Sequence, residues 1–445
     1  MKKLILSLTT VILSLATWGQ QAGDKFVIKT TEAVKKTEWS LAGGDAFSDI
    51  SIIKHNGDKL ELFAKGYENM GAWATYDLNQ IESITFTVFH KDDYQEESAA
   101  QAVKNMGLGT CFGNCLDAVD INKTMEKNSV TDFEKCWGQE PTTKPMVDFL
   151  KKNGFNSVRI AVTWFQHMKE DGTVDEAWMN RVQEVVDYVI DNGMYCILNV
   201  HHDTGADPDD KSYTHWIKAD LDNYNANKTK FEYLWTQIAN RFKNYDQHLV
   251  FEGYNEMLDA NNTWNAPKNA NSYKGLNGYA QSFVNAVRAT GGNNETRNLI
   301  VNTYAAACGD EVLNNLTIPT DKVSGHIAVE VHTYAPWDWF AKGAWDTSCS
   351  NEIKNMFTRL NNKFICKGIP CIIGEYGTHG SQQVSKESTT SQIKAAADQA
   401  ADIVKQAKAY GVATFYWMSI FEGTDRTVPQ WTLPTVVEAM KNAYK

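Results

Sequence analysis

Two hydrophobic patterns alternate along most of the chain. From about residue 99 onward, short apolar runs of strand length are each followed by a loop and by a stretch with helical spacing of apolar positions. The strand-like runs are 107–112, 157–162, 195–200, 249–254, 299–304, 327–332, 370–375 and 413–418. The clearest helical stretches are 178–192, 231–244, 279–290, 352–366 and 395–411. Eight strands that alternate with helices predict an α/β protein with a closed parallel (β/α)8 barrel of the TIM type.

An open, doubly wound parallel sheet is the alternative to this barrel. Such a sheet usually carries a glycine-rich phosphate loop after its first strand. Here Gly107-Leu108-Gly109 is not followed by the third glycine that this loop needs. The pattern therefore favours the barrel.

The first part of the chain differs from the rest. Segments 49–54, 59–64 and 83–89 are short, β-branched and partly alternating, and Asn56-Gly57 is a hairpin turn signal. Segment 90–98 is acidic without an apolar run, and it is the predicted linker. We predict a small all-β N-terminal module over residues 20–95 and a barrel domain over residues 96–445.

Residues 1–19 have the features of a secretory signal peptide. Lys2 and Lys3 precede a short apolar run over 4–16, and small residues precede a cut before Gln20. The run is too short to span a bilayer, and no later stretch is apolar enough to do so. We expect a secreted protein without a membrane span.

Composition narrows the range of partners. The chain has 445 residues, of which 43% are apolar and 22% charged, and its net charge is −11. Because nucleic acid and anionic membranes select for basic surfaces, both are excluded as expected partners. The 14 Trp, 18 Tyr and 19 Phe suit sugar rings, whose flat C–H faces stack on aromatic side chains. We expect a monomer with a neutral glycan as its substrate and no cofactor.

The eight cysteines allow too many pairings for the disulfide connectivity to be read from the sequence. Cys196 and Cys371 lie inside apolar runs and are predicted to be buried free thiols. Cys115 with Cys136, and Cys349 with Cys366, are the candidate disulfides.

Polar and titratable residues cluster where the predicted strands end. Barrel enzymes carry their catalytic groups at this edge, whereas a purely structural barrel would end its strands with small turn residues. The candidates, in chain order, are Arg159, His201, His202, Asn255, Glu256, His332, Tyr334, Glu375 and Trp417. Glu252 and Glu330 lie within their strands, and we interpret them as members of ion pairs inside the barrel.

Glu256 and Glu375 close the fourth and seventh strands, so they face each other across the mouth of the barrel. Cleavage of an acetal needs such a pair: one carboxylic acid protonates the departing oxygen, and one carboxylate attacks or assists at the anomeric carbon. Arg159 and Tyr334 near Glu375 would keep it ionised, as a nucleophile requires. Glu256 has Asn255 rather than a cation beside it in the sequence, which suits an acid. The two carboxylates should approach to roughly 5 Å.

The sequence resembles glycoside hydrolase family 5, in particular its endoglucanase-like subfamily 4. The resemblance covers residues 99–445, in the family's order. It rests on GTCFGNCLDA at 109–118, GFNSVRI at 154–160, NVHHD at 199–203, FEGYNE at 251–256, VHTY at 331–334, IGEY at 373–376 and Tyr416-Trp417.

This resemblance implies a retaining enzyme with Glu256 as acid/base and Glu375 as nucleophile. It implies that Asn255 holds the sugar 2-hydroxyl and that Trp417 forms the floor under the sugar that becomes covalently attached. Arg159, His201, His332 and Tyr334 would complete that sugar site. The chain departs from the family at Thr110-Cys111, Met257 and Met418-Ser419, which lie towards the flanking subsites.

The leading hypothesis is an endo-β-1,4-glucanase that acts on cellulose-like, mixed-linkage or xyloglucan chains. A β-mannanase or a xylanase on the same barrel is the alternative within this class, and a non-catalytic glycan-binding protein is one from another class. A metal-dependent hydrolase is disfavoured, because adjacent strand residues such as His201 and His202 point to opposite faces. Five tryptophans in loops after strands are candidates for either stacking on sugars or packing: Trp164, Trp216, Trp264, Trp337 and Trp339.

Overall fold

The computed structural model of the chain describes residues 94–445 except 121–124, 207–214, 379–382 and 419–424, and before residue 94 it describes little beyond seven strands. These strands are β1 (Leu4–Leu6), β2 (Lys25–Thr30), β3 (Glu38–Ala42), β4 (Ile50–Asn56), β5 (Lys59–Ala64), β6 (Ala74–Asp77) and β7 (Ile81–Thr87). They form two antiparallel sheets, in the orders β1-β7-β2-β3 and β4-β5-β6. Apart from β1, the predicted signal peptide lies outside the described residues. Both the export signal and the domain limits stay predictions.

Eight parallel strands close into a barrel, which confirms the predicted fold. They are β8 (Leu108–Phe112), β9 (Ser157–Ile160), β10 (Tyr195–Asn199), β11 (Leu249–Glu252), β12 (Leu299–Asn302), β13 (Ile327–Thr333), β14 (Cys371–Tyr376) and β15 (Ala413–Tyr416). Each pairs in parallel with the next, and β15 pairs with β8 to complete the ring.

Helices follow the strands as the 3.6-residue pattern predicts. They are α1 (Ala99–Met106), α2 (Lys144–Lys152), α3 (Glu176–Ile190), α4 (Leu221–Arg241), α5 (Ala270–Ala289), α6 (Asp310–Asn315), α7 (Trp339–Lys342), α8 (Thr347–Lys363), α9 (Thr390–Tyr410) and α10 (Pro434–Tyr444). The long helix α9 has clear end signals: Thr389 and Gln392 form a capping box, and Gly411 ends the helix at φ 68°. Within the described part of the chain, none of the helices combines the length and apolarity that crossing a bilayer requires.

The barrel interior is layered because side chains two apart on a strand share a face. One layer is apolar and includes Ile197, Val250, Ile300, Ala328 and Ile372. Two residues further along four of these strands the side chain is polar and fully buried: Asn199, Glu252, Asn302 and Glu330. The apolar layer stabilises the barrel, and the polar layer is the base on which the site is built.

All eight cysteines are free thiols, so the two proposed disulfides are wrong. Cys349 lies in the first turn of α8 and Cys366 just beyond its end, roughly 25 Å apart along the helix axis. A disulfide needs Cα atoms within about 7 Å of each other. Cys115 Sγ instead accepts a hydrogen bond from Arg426 at 2.7 Å. Cys196 and Cys371 are buried free thiols, as predicted.

Candidate active site

A cleft of about 830 Å³ opens at the carboxyl ends of the barrel strands. Seven of the nine predicted site residues line it: His201, His202, Glu256, His332, Tyr334, Glu375 and Trp417. The other two, Arg159 and Asn255, are buried and do not line the cleft. The predicted residues therefore form one cluster with two layers, of which the outer layer faces the cleft.

Glu375 reaches the cleft through an irregularity in β14. Val331 pairs with Ile373, but the next residue, His332, pairs with Glu375, so Gly374 is an extra, bulged residue. A Cβ atom on Gly374 would lie 1.9 Å from Glu330 Oε1, and only glycine fits there. Arg159 Nη1 donates to Glu375 Oε1 at 2.8 Å, and the Tyr334 hydroxyl donates to Oε2 at 2.6 Å. The Glu375 carboxylate is thus held at both oxygens.

Arg159 organises the inner layer. It donates two hydrogen bonds to Glu252, at 2.6 and 2.8 Å, and one at 2.8 Å to Asn255 Oδ1. Its Nε also lies 3.2 Å from Glu330 Oε1. The interpretation of Glu252 and Glu330 as barrel-interior ion-pair residues is confirmed. Burial, together with the nearby Glu330, raises the pKa of Glu252 to about 7, although Arg159 opposes this.

Glu256 faces Glu375 across the cleft and carries a histidine as its partner. His332 Nδ1 lies 2.8 Å from Glu256 Oε1 and 3.6 Å from Glu375 Oε2. Oxygens of the two carboxylates lie within 4.8 Å of each other. In the sequence Glu256 has Asn255 rather than a cation beside it, but in the fold His332, from a different strand, lies against it.

The charges in this cluster perturb one another. Burial alone would lower the pKa of His332, but the negative charges of Glu375, Glu256 and Glu330 outweigh burial and raise that pKa to about 10. Burial raises the pKa of Glu375, and the positive charges of His332 and Arg159 offset this only in part. His332 is therefore an imidazolium at neutral pH and supplies positive charge to both cleft carboxylates.

His201 and His202 lie beyond the end of β10, at Asn199, so the alternation argument against their acting together does not apply to them. Ligand atoms of Asp117, His201 and His202 lie within 4.8 Å of one another. The ring of His201 stacks parallel to Trp417, with centroids 5.7 Å apart. His201 thus packs against Trp417 and supports the position of the Trp417 ring in the cleft.

The tryptophans divide by exposure. Trp264 and Trp337 line the cleft and are 54% and 61% exposed, so both can stack on sugar rings. Trp339 lines the cleft but is buried, and Trp164 and Trp216 pack in the interior. Trp178 on α3 and Trp235 on α4 are also buried.

His332 has a second carboxylate contact that was not predicted from the sequence. His332 Nε2 lies 3.2 Å from Glu330 Oε1. The two residues are two positions apart on β13, and this spacing places their side chains on one face of the strand. The i, i+2 spacing is visible in the sequence, but the sequence-based interpretation of Glu330 named no partner for its ion pair.

A parallel (β/α)8 barrel with two carboxylates facing each other across an open cleft defines a glycoside hydrolase. Comparison with known proteins agrees with this class. The model of the family described as cellulase (glycosyl hydrolase family 5) matches residues 120–423. The chain belongs to glycoside hydrolase family 5, and it is an enzyme of the cellulase type.

Among curated proteins, the chain is similar to Endoglucanase 1 of Ruminococcus albus, with 33% identity over 82% of this chain and 86% of that protein. It is also 34% identical to the cellulase/esterase CelE of Acetivibrio thermocellus, over 77% of this chain but only 40% of that longer protein. Among solved structures, PbGH5A, a family 5 enzyme from Prevotella bryantii B14, shares 57% identity over 79% of this chain and 99% of its own, with a TM-score of 0.75.

Proposed function

We propose that the protein is a retaining endo-β-1,4-glucanase of subfamily 4 that cleaves internal bonds of cellulose-like, mixed-linkage or xyloglucan chains. The observation that carries this proposal is the approach of Glu256 and Glu375 to within 4.8 Å. Retaining enzymes place their carboxyl groups about 5–5.5 Å apart, whereas inverting enzymes leave about 6.5–9.5 Å for a water molecule.

Glu375 is the proposed nucleophile. Arg159 and Tyr334 fix its carboxylate, so little reorganisation is needed when an oxygen attacks the anomeric carbon. Their hydrogen bonds and the His332 charge favour the ionised form against the burial that raises the pKa of Glu375. The bond from the anomeric carbon to the leaving oxygen breaks as the glycosyl ester on Glu375 forms.

Glu256 is the proposed acid and base. In the first step it gives its proton to the leaving oxygen, and in the second it takes a proton from the water that cleaves the ester. Its side chain is 21% exposed, against 5% for Glu375, so a leaving group and then water can reach it. His332 holds one Glu256 oxygen at 2.8 Å and leaves the other for proton transfer.

The remaining candidates would bind the sugar beside the bond that is cut. Trp417 and His201 stack with their planes 6° apart, and Trp417 would be the floor under that sugar. Because Asn255 Oδ1 accepts from Arg159, the amide nitrogen of Asn255 is the atom that would donate to the 2-hydroxyl of a sugar bound deep in the cleft. His202 is 26% exposed at the cleft wall and would contact the next sugar.

The names of similar proteins support this substrate class. Four solved structures similar to this chain are described as GH5-4 broad specificity endoglucanases, with identities from 29% to 45%. A variant of PbGH5A was solved in complex with a xyloglucan tetradecasaccharide. The exposed Trp264 and Trp337 would serve a long chain lying in an open cleft. A β-mannanase or a xylanase is the alternative that a panel of polysaccharides distinguishes.

The test is hydrolysis of soluble β-glucans by the native enzyme and by Glu375→Gln. We expect the variant to lose at least about 10³-fold in kcat while it still binds the glucan, because the substitution removes only the nucleophile. Proton NMR of the first sugar released by the native enzyme should show the β-anomer. An α-anomer as first product, or undiminished turnover by Glu375→Gln, contradicts the proposal. Binding without turnover by the native protein favours the glycan-binding alternative.

We also propose that residues 1–19 direct export and that residues 20–95 form an accessory module. Deleting residues 20–95 and measuring adsorption to insoluble glucan tests whether this module binds carbohydrate. A carbohydrate-binding module is contradicted if adsorption is unchanged.

A further inference from the structure

Glu330 is a fully buried carboxylate that the proposed two-step reaction does not use. Its Oε1 lies 3.2 Å from both Arg159 Nε and His332 Nε2. Its Oε2 is buried and has no hydrogen-bond partner among the described residues. Burying a carboxylate is costly unless it is paired with positive charge, and Glu330 has Arg159 and His332 as its charged partners.

The His332 ring lies between two carboxylates. Nδ1 faces Glu256 at 2.8 Å, and Nε2 faces Glu330 at 3.2 Å. A neutral imidazole carries a single N–H and donates to one carboxylate only, whereas an imidazolium donates to both. When both carboxylates are ionised, only the charged form of His332 can donate to both of them.

We infer that Glu330 is a positioning residue that keeps His332 charged through both steps of the reaction, so that Glu256 can alternate between acid and base. This inference rests on the proposed retaining mechanism. Glu330 acts through His332 and touches neither the sugar nor the reacting atoms.

The movement of charge during the reaction explains why a fixed counter-charge is needed. In the first step the Glu256 proton goes to the leaving oxygen while the Glu375 carboxylate becomes a neutral ester, so one negative charge moves from Glu375 to Glu256. Water then gives a proton to Glu256, and cleavage of the ester restores the charge on Glu375. His332 Nδ1 lies within 3.6 Å of both carboxylates and compensates whichever is ionised. If His332 passed its proton to Glu256 in the intermediate, the base would be lost.

Among the carboxylates around His332, Glu330 is the one that keeps its charge through the reaction and faces the ring directly. Four carboxylates surround the ring: Glu252 on β11, Glu256 in the loop after it, Glu330 on β13 and Glu375 on β14. The other titratable or charged groups are His201, in the loop after β10, and Arg159 and Tyr334, which contact these carboxylates. Burial keeps the pKa of His201 well below its ordinary value, so this ring is uncharged. Glu256 and Glu375 change charge during turnover, and Glu252 is bound to Arg159 on both oxygens.

The experiment compares pH profiles of kcat/KM on a soluble β-glucan for the native enzyme, Glu330→Gln and Glu330→Asp. Glu330→Gln removes a negative charge beside His332 and Glu256, which share a proton-bearing contact. This lowers the apparent pKa at which the His332–Glu256 pair loses its proton. We expect the alkaline limb of Glu330→Gln to move to lower pH by about one unit or more. Glu330→Asp keeps the charge and should restore most of the native profile. NMR titration of the His332 ring, assigned with His332→Gln, should show the same order of pKa values.

Glu134→Gln is the matched control, since Glu134 is equally buried but pairs with Arg181 outside the site. It should lower thermal stability without moving the alkaline limb. An unshifted limb in Glu330→Gln, or equal shifts in both Glu330 variants, overturns the inference. If Glu330→Gln does not fold, the inference is tested by titrating the His332 ring in the native enzyme and in Glu330→Asp. An ordinary His332 pKa in the native enzyme overturns the inference. A native enzyme inactive on every glucan defeats the proposed function instead, while the titration still tests the charge on His332.

Discussion

Replacing Gly374 with alanine should damage the site far more than the fold. Glycine at this bulge lets the Glu330 carboxylate lie against the β14 backbone. An alanine Cβ would meet Glu330 Oε1 at 1.9 Å and its carboxyl carbon at 2.2 Å. Since ordinary contacts begin near 3.4 Å, the carboxylate would have to retreat by roughly 1.5 Å or push the strand aside.

The cost follows from what that oxygen contacts. Glu330 Oε1 lies 3.2 Å from both Arg159 and His332, and a hydrogen bond between charged groups contributes about 1.5–3 kcal/mol. Losing one of them should lower the free energy of unfolding by about 1.5–3 kcal/mol. The neighbouring Glu375 would shift as well, and a displacement of about 1 Å in a catalytic group costs about 100-fold in rate. We therefore expect kcat/KM to fall at least about 100-fold.

Urea denaturation and steady-state kinetics on a soluble β-glucan measure both effects. Ile403→Ala is a suitable control, because Ile403 is fully buried on α9 and its truncation should cost about 2–5 kcal/mol without affecting kcat/KM. A Gly374→Ala enzyme with native kcat/KM would refute the argument that close approach at the bulge sets the position of Glu375.

Three further predictions follow from buried or strained positions and from the cleft wall. Burial lowers the pKa of His167 to about 3, so the free energy of unfolding that the neutral ring contributes is present above pH 6.5 and is lost as the pH falls towards 3. In urea denaturation, His167→Gln should lose less stability in acid than the native enzyme does, and an unchanged pH dependence contradicts this prediction. Trp337→Ala should raise KM for a β-glucan about 2- to 10-fold with little change in kcat, as expected for a lost stacking surface, and a fall in kcat alone would argue against stacking. Ala306, at φ 49°, occupies the left-handed region, so Ala306→Gly should stabilise the protein by about 0.5–1 kcal/mol in the same assay, whereas destabilisation would show that its methyl group matters more than its backbone.

The barrel could be predicted from the sequence because strand and helix periodicities alternate cleanly after residue 99. The cleft residues could be predicted for a related reason: parallel strands bring their carboxyl ends to one edge, so the residues that follow eight runs meet. Glu256 and Glu375 are 119 positions apart in the chain, yet this rule alone places them together.

The features of the site that could not be predicted depend on how side chains from different strands and loops meet in the fold. The pairing of His332 with Glu256 joins β13 to the loop after β11, and no local pattern reports which side chains meet across a barrel. The bulge at Gly374 lies in an apolar run that reads as regular strand. Trp164 and Trp216 follow strands as the exposed tryptophans do, but their indole nitrogens donate to Asn199 O and Asp203 Oδ1 in the interior. Only the folded loops distinguish them from Trp264 and Trp337.

The absence of disulfides among the eight cysteines has a practical consequence. The enzyme should tolerate reducing agents, and it could be produced in a reducing host compartment without loss of its native architecture. Cys366 is the most exposed thiol of the set, on a short turn beyond α8, so it is the preferred attachment point for a dye or a solid support.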